Sequence, residues 1–307
     1  MVFDHTFSEF SYGFRPRRSA HQAIEQTRRY IAEGRSWVVE MDLAKFFDTV
    51  NHDRLMAALE KRCKDKMLLR LIRRYLRTGI MENGLAEPRT EGTPQGSPLS
   101  PILSLIVLDE LDKYLERRGL KFCRYADDCN IYVKSQKAGE RVLETTIKFI
   151  EETLKLRVNR DKSGVFRPRR AKFLGYTFVG TTGEPRVHPK SFKRFNMSLR
   201  ELFRKARGWS LPRTIDRLNR KLRGWRQYFR LDARKAPFER FDIHIRRHLR
   251  KRIWIAWKRP KTRERELKRR GLDPYQAWKS SVNGRGKWWN AGALHMRRAF
   301  PNSFFRE

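Results

Sequence analysis

The run Phe122-Cys123-Arg124-Tyr125-Ala126-Asp127-Asp128-Cys129-Asn130-Ile131-Tyr132-Val133 constrains this chain more than any other stretch. Its β-rich, largely apolar flanks predict two short strands, and a tight turn between them lifts Asp127 and Asp128 onto a hairpin tip. Far upstream, Trp37-Val38-Val39-Glu40-Met41-Asp42 is again β-rich and delivers one carboxylate where the strand ends. Carboxylates with free oxygens are what Mg²⁺ requires. In two-metal sites the ions sit roughly 3.5–4 Å apart and clamp the attacking and leaving oxygens of an in-line phosphoryl transfer. One strand end and one hairpin tip could form that clamp, which suggests a two-metal polymerase site. Taken alone, an Asp-Asp pair is also an ordinary turn former, so the surrounding sequence has to decide.

Charge supplies the first context. Lys and Arg total 71 against 34 Asp and Glu, a net +37 with a pI near 11.0, so the partner is a polyanion. With 39% apolar and 12% aromatic residues the chain is no disordered basic tail, and 307 residues suggest two domains. The charge is uneven: residues 191–307 hold 35 Lys/Arg against 9 Asp/Glu, residues 1–190 hold 36 against 25. The same C-terminal segment carries seven of the eight tryptophans. Basic side chains interleaved with aromatics suit a surface that grips phosphate and stacks on bases, although a solvated basic face over an aromatic core accounts for most of these residues one by one.

Cys63, Cys123 and Cys129 show neither paired metal spacing nor a disulfide framework, which fits free thiols in a reducing cytosol. No run approaches the ~20 apolar residues of a membrane span, and the N-terminus lacks the apolar core of a signal peptide. The expectation is a soluble cytoplasmic protein with no membrane partner.

Along the chain, residues 19–34 read as a helix capped by Ser19 and closed by Gly34, followed by the strand to Asp42. Helical patterns at about 52–62 and 65–78 lead to a polar hairpin, the turn-rich Gly92-Thr93-Pro94-Gln95-Gly96-Ser97-Pro98, and a long apolar helix from about Pro101 to Arg118. After the Asp-Asp hairpin come an amphipathic helix with Leu143, Ile147, Ile150 and Leu154 at helical spacing, and a strand pair to about His188. Beyond residue 190 the pattern is helical, with Ile215, Leu218, Leu222 and Trp225 on one stripe and Phe241, Ile245, Leu249, Ile253 and Trp257 on another. This order predicts an α+β fold of few strands with domains at 1–190 and 191–307.

An ordered set of motifs resembles the reverse transcriptase and maturase protein encoded by bacterial group II introns, over nearly the whole chain. The matching stretches are Phe10-Ser11-Tyr12-Gly13-Phe14-Arg15-Pro16, Asp42-Leu43-Ala44-Lys45-Phe46-Phe47-Asp48, Gly92 to Pro101, Tyr125-Ala126-Asp127-Asp128, and Lys172-Phe173-Leu174-Gly175-Tyr176. Their joint order is far more specific than any one of them. Downstream, Gly224-Trp225-Arg226-Gln227-Tyr228-Phe229 resembles the thumb or maturase region, where three helices hold template-primer and intron RNA.

The resemblance implies a right-hand polymerase, with fingers and palm in residues 1–190 and a helical thumb and maturase region in 191–307. It makes Asp42 and Asp127 the principal ligands of two Mg²⁺ ions, with Mn²⁺ as a substitute, and Asp128 the third acid. Phe47 would close off space beside the sugar 2′ carbon and favour deoxynucleoside triphosphates; as a core aromatic, its neighbour Phe46 is the better choice by strand alternation. Gln95 and Gly96 would line the nucleotide pocket with Arg15 in support, although Pro94 and Gly96 alone read as a turn. Lys162 resembles the family's basic residue near the nucleotide, and is otherwise a solvated lysine. Phe173, Leu174, Gly175 and Tyr176 would be the primer grip that places the 3′ hydroxyl. In the tail, Arg223, Arg226 and Arg230 fall at spacings of three and four and are expected to share an RNA-facing helix side, with Trp225 and Phe229 packing behind it.

Two departures bear on function. The chain begins at the second family block, so the first fingers segments are expected to be missing, and no His/Cys cluster of the family's endonuclease domain follows the thumb. The leading expectation is an RNA-directed DNA polymerase that binds intron RNA and assists splicing, with RNA template and DNA primer or target DNA as partners. The alternatives are a non-catalytic RNA-binding maturase with a truncated polymerase, and a reverse transcriptase of a retron, defence or CRISPR-linked system.

Overall fold

A computed structural model describes residues 3–78, 80–82, 85–87, 91–93 and 97–305. The chain divides into two units, Met1–Ser191 and Phe192–Glu307. The first opens with α1 (Ala20–Ala32), whose start is dictated locally: the Ser19 hydroxyl accepts from the Gln22 N–H while the Gln22 side chain accepts from the Ser19 N–H. Gly34, at φ +86°, follows its end as expected. Next come β1 (Trp37–Met41), a single helical turn α2 (Phe46–Thr49), α3 (His52–Glu60), α4 (Lys66–Arg77) and a hairpin of β2 (Ile80–Glu82) with β3 (Leu85–Glu87). The apolar helix α5 (Ser100–Arg117) leads into β4 (Lys121–Tyr125) and β5 (Asp128–Val133). Helix α6 (Gln136–Lys148) runs on into a wider π-helical turn, Phe149–Thr153; Ile150 within it and Leu154 just beyond it are both buried, as the periodicity predicts. Strand β6 (Gly164–Phe166) and the hairpin β7 (Tyr176–Val179) and β8 (Glu184–Val187) complete the unit.

The central sheet has the order β4-β5-β1-β6, with all three pairings antiparallel. Its core face is closed by Val39, Met41, Phe122, Cys129, Ile131 and Val133 packing with Leu55 and Leu59 of α3 and Leu108, Leu111 and Leu115 of α5. Each of these side chains is buried, and each full burial stabilises the fold by about 1.5–3 kcal/mol. On the opposite face Tyr132 meets α1, its hydroxyl 2.7 Å from the Thr27 hydroxyl. This is the α+β, few-stranded architecture expected from the sequence.

The second unit is helical among its described residues: the rest of α7 (Pro189–Lys205), then α8 (Leu211–Tyr228), α9 (Ala236–Ala256), α10 (Pro260–Arg269), α11 (Pro274–Ser281), α12 (Lys287–Gly292) and α13 (Leu294–Ala299). Both apolar stripes point inward. Leu218, Phe241, Ile245 and Leu249 are buried with Phe195 and Leu199, and Trp225 stacks on Phe195 at 4.4 Å. Cys123 and Cys129 are buried and Cys63 half-buried, all as free thiols, and burial pushes the Cys123 thiol up to about 12. Among the described residues no helix is long and apolar enough to cross a membrane.

Candidate active site

Strands β4 and β5 close on the pair Tyr125 and Asp128, leaving Ala126 and Asp127 as a two-residue turn. Ala126 sits at φ +56°, a left-handed conformation that a residue with a Cβ resists and that costs of order 1–3 kcal/mol. In the neighbouring pairing Met41 faces Cys129, and one further step along both strands puts Asp42 opposite Asp128. Strand alternation sends Val39, Met41, Cys129 and Ile131 into the core and leaves Glu40, Asp42, Asp128 and Asn130 on the other face. Antiparallel register thus brings acids 85 or more positions apart in the sequence to one end of the sheet.

The charges at this sheet end interact. Although Asp128 is exposed at the turn, the protein around its carboxyl, then Asp127, then Asp42 push it up to about 6, against the pull of Lys172 and Lys162. Repulsion among three acids is what a bound cation relieves. Lys162 Nζ lies 3.5 Å from Asp42 Oδ2, and the lysine side chain is otherwise largely exposed to solvent. Among the described residues no three His, Cys, Asp or Glu side chains form a ready-made metal cage.

Phe47 is half-buried against the main core, edge-on to Phe46 at 5.3 Å, while Phe46 is 3% exposed. Phe46 is the core aromatic, as strand alternation predicts, but the two residues lie on the helical turn α2 and not on a strand. Gly92 and Thr93 dock beside them: the Thr93 N–H donates to the Phe47 carbonyl at 2.6 Å and the Gly92 N–H to the Val50 carbonyl at 2.8 Å. Gly92 needs its missing side chain here, since a Cβ would meet the Asp48 backbone at 2.8–2.9 Å at φ +86°. Gln95 and Gly96 lie outside the described residues.

Phe173 and Tyr176 exchange both backbone hydrogen bonds, 3.0 and 2.9 Å, around Leu174 and Gly175. Both turn residues have positive φ, +50° and +82°, the twist that suits a tight hairpin. Phe173 and Tyr176 are anchored, each 1% exposed. The Arg15 guanidinium bonds Asp4 at 2.8 Å and the Ser11 and Asp4 carbonyls at 3.0 and 2.9 Å, so it secures the N-terminal loop.

In the second unit Arg223 and Arg226 are exposed on α8, and Trp225 and Phe229 pack inward as expected. One expectation is corrected: α8 ends at Tyr228, so Arg230 is exposed in the turn beyond it and not on a shared helix face. Helical spacing read past the C-cap overextended the helix.

Sequence reasoning missed several residues around the acids. The Ser163 hydroxyl accepts from the Asp42 N–H at 3.0 Å. Glu40, two residues before Asp42 on the same strand face, accepts from the Lys172 N–H and so ties the start of the Phe173 hairpin to β1. Burial pushes the Glu40 carboxyl up to about 7; the Lys172 N–H opposes this and Asp128 adds to it. Alternation could have flagged Glu40, but nothing local to Ser163 reveals its partner.

The chain matches known families over both of its units. Residues 1–178 match the family model described as reverse transcriptase (RNA-dependent DNA polymerase), and residues 192–271 that of the group II intron, maturase-specific domain. Protein YkfC of Escherichia coli K12 is 34% identical over 203 residues, 53% of each chain. The putative COX1/OXI3 intron 2 protein of Saccharomyces cerevisiae is 32% identical over 61% of this chain and 29% of its own length. The group II intron-encoded protein LtrA of Lactococcus lactis is 37% identical over 40% of this chain and 20% of its own. This chain therefore matches about half or less of these relatives' lengths. A solved structure of apo telomerase from Candida tropicalis aligns over 97% of this chain and 53% of that one at a TM-score of 0.50 and 11% identity, a likeness of fold alone. The chain belongs to the reverse transcriptase (RNA-dependent DNA polymerase) family and carries a group II intron maturase-specific domain over residues 192–271.

Proposed function

We propose that this protein is an RNA-directed DNA polymerase of a group II intron that also binds intron RNA and assists splicing. The observation that carries the reading is the meeting of Asp42 with Asp127 and Asp128 at one sheet end, where burial first, and then Asp127 and Asp42, raise the Asp128 carboxyl. Residues 1–190 act as fingers and palm, and 191–307 as thumb and maturase region. Asp42 and Asp127 would hold two Mg²⁺ ions, or Mn²⁺, with Asp128 the third acid. Such ions would supply the Lewis acidity for attack by a primer 3′ hydroxyl on the α-phosphate of a deoxynucleoside triphosphate, the Pα–O bond to the β-phosphate breaking to release pyrophosphate. Lys162, beside Asp42, offsets negative charge as the triphosphate arrives. The Phe173 to Tyr176 hairpin, held to β1 through Glu40 and Lys172, orients the primer end. Intact acids support catalysis over a purely RNA-binding role. The maturase-specific match supports the intron reading over a retron, defence or CRISPR-linked one.

Extension of a DNA primer on an RNA template, present with Mg²⁺ or Mn²⁺ and absent under chelation, tests the reading. The same assay tests Phe47, whose ring meets Phe46 edge-on and whose carbonyl accepts from the Thr93 N–H. Phe47→Val opens space at the sugar and is expected to raise ribonucleotide incorporation relative to deoxynucleotide by about tenfold. That corresponds to ~1.4 kcal/mol, within the range for lost methylene-scale contacts. An unchanged ratio would show that Phe47 serves only the core.

RNA binding has a separate readout. For single-stranded RNA each neutralised phosphate contributes a log-log salt slope of about −0.7. Replacing Arg223 and Arg226, exposed on α8, by Ala is expected to flatten the slope by roughly 1.4 in filter binding. Arg230→Ala, measured alone, shows whether the turn beyond the helix joins that face. A folded double variant with unchanged slope and affinity would remove α8 from the RNA interface. The next basic group along α9 is a poor substitute, since Arg250 bonds the Phe300 carbonyl at 2.9 Å and Arg247 the Trp288 carbonyl at 2.9 and 3.1 Å.

A further inference from the structure

We propose that Arg124 is a positioning residue that locks the Ala126 to Asp128 turn from the core side of the sheet, and with it the carboxylates of the site. The proposal rests on the polymerase reading above. Arg124 is wholly buried, an unusual place for a guanidinium. Its Nε donates to Asp112 Oδ1 of α5 at 2.7 Å, and its terminal nitrogens donate to Asp112 Oδ2, to the Ser11 hydroxyl at 2.8 Å and to the Ala126 carbonyl at 2.9 Å. A buried ion pair is a weak way to stabilise a core, because apolar residues of similar volume often do as well or better. Apolar residues cannot hold the carbonyl of a strained turn. Ala126 at φ +56° is a conformation that persists only where its surroundings over-determine it.

The same turn is gripped from a second side. Arg124 exchanges backbone hydrogen bonds with the N-terminal stretch: its N–H donates to the Phe10 carbonyl and its carbonyl accepts from the Tyr12 N–H, both at 2.9 Å. This brings Gly13 onto the turn so closely that an added Cβ would lie 2.3 Å from the Ala126 nitrogen. Backbone cannot retreat from such a clash without moving Asp127. Asp112, Ser11, Gly13 and Arg124, drawn from three separate segments, thus converge on the peptide that carries the acids.

The test is a paired substitution, Arg124→Met with Asp112→Leu, which removes both buried charges together and leaves no unpaired ion. Circular dichroism checks folding, electron paramagnetic resonance titration measures Mn²⁺ affinity, and primer extension separates kcat from the KM for template-primer. Ångström-scale misplacement of reacting groups costs about 100-fold in rate, and loss of outer partners about tenfold or more in metal affinity. The expected result is a kcat lower by about 100-fold, Mn²⁺ binding weaker by about tenfold, and an unchanged KM for template-primer. A folded pair variant with only a lower melting temperature, and with kcat and Mn²⁺ affinity at wild-type levels, would overturn the proposal. If the pair variant does not fold, Gly13→Ala decides, because it crowds the same turn without touching a charge; the same split supports the proposal and wild-type values sink it. Asp127→Ala is the control. Mn²⁺ binding indifferent to that change would bring down the polymerase reading and the Arg124 role with it, whereas sensitivity to Asp127 but not to Arg124 removes the Arg124 role alone.

Discussion

Asp42→Ala and Asp127→Ala variants are expected to lose primer extension by at least about a thousandfold while keeping RNA affinity within a few-fold of the parent. The size follows from the chemistry: metal-assisted charge stabilisation in phosphoryl transfer amounts to several kcal/mol, and each 1.36 kcal/mol is tenfold in rate. Selectivity follows from location. The two acids stand at the sheet end of the first unit, whereas the basic surface assigned to RNA is on the helical second unit. Primer extension and filter binding on the same preparations measure both quantities. Near-normal extension by either variant would show that the chemistry sits elsewhere. Loss of extension together with RNA affinity would show a folding defect instead, because neither acid contributes attraction to a polyanion.

Phe241→Ala is expected to destabilise the second unit by about 3–5 kcal/mol, the usual cost of emptying a buried aromatic site. Phe241 is 8% exposed at the centre of an aromatic nest, 5.4 Å from the Phe195 and Trp225 ring centres and 5.5 Å from that of Phe192. Removing it leaves helices α7, α8 and α9 without the ring around which they pack. For a unit of this size each kcal/mol lowers the melting temperature by about 3–6 °C, so a drop of roughly 10–30 °C is expected. Tryptophan fluorescence reports it specifically, because seven of the eight tryptophans lie in residues 191–307. A shift under about 3 °C would mean that the nest closes over the gap and that another contact carries the unit's stability.

Local chemistry made much of the fold readable. The strands expected around Asp127 and Asp128 appear as Lys121–Tyr125 and Asp128–Val133, the helix predicted from about Pro101 to Arg118 spans Ser100–Arg117, and the Ser19 cap opens α1 where the pattern placed it. Alternation, helical period and capping depend on residues within a few positions of each other, so a single stretch of chain contains the whole signal. The same locality explains the misses. Phe46 and Phe47 fit a strand pattern but follow Lys45 at φ +47° and wind into a helical turn, because Gly92 and Thr93 dock on that segment from 40 or more residues away. Arg230 has the spacing of a helical face and lies past the end of the helix.

The sequence by itself determined which segments become strands and helices, that acids end two of the strands, and that the basic charge gathers in the helical C-terminal part. The ordered motifs also pointed to the family. Only the tertiary structure decided which charged groups meet. Register between β1 and β5 sets Asp42 opposite Asp128, a loop after residue 158 returns Lys162 and Ser163 to Asp42, and a parallel bridge at Ser11 lets Arg124 and Gly13 hold the turn. Arg15 and Arg124 are both arginines beside recognisable motifs, yet one secures a loop through Asp4 and the other lies wholly buried against Asp112. The physical reason is that a buried charge takes its identity from partners supplied by distant segments. Those partners come together only when the apolar core has fixed which face of each strand points inward.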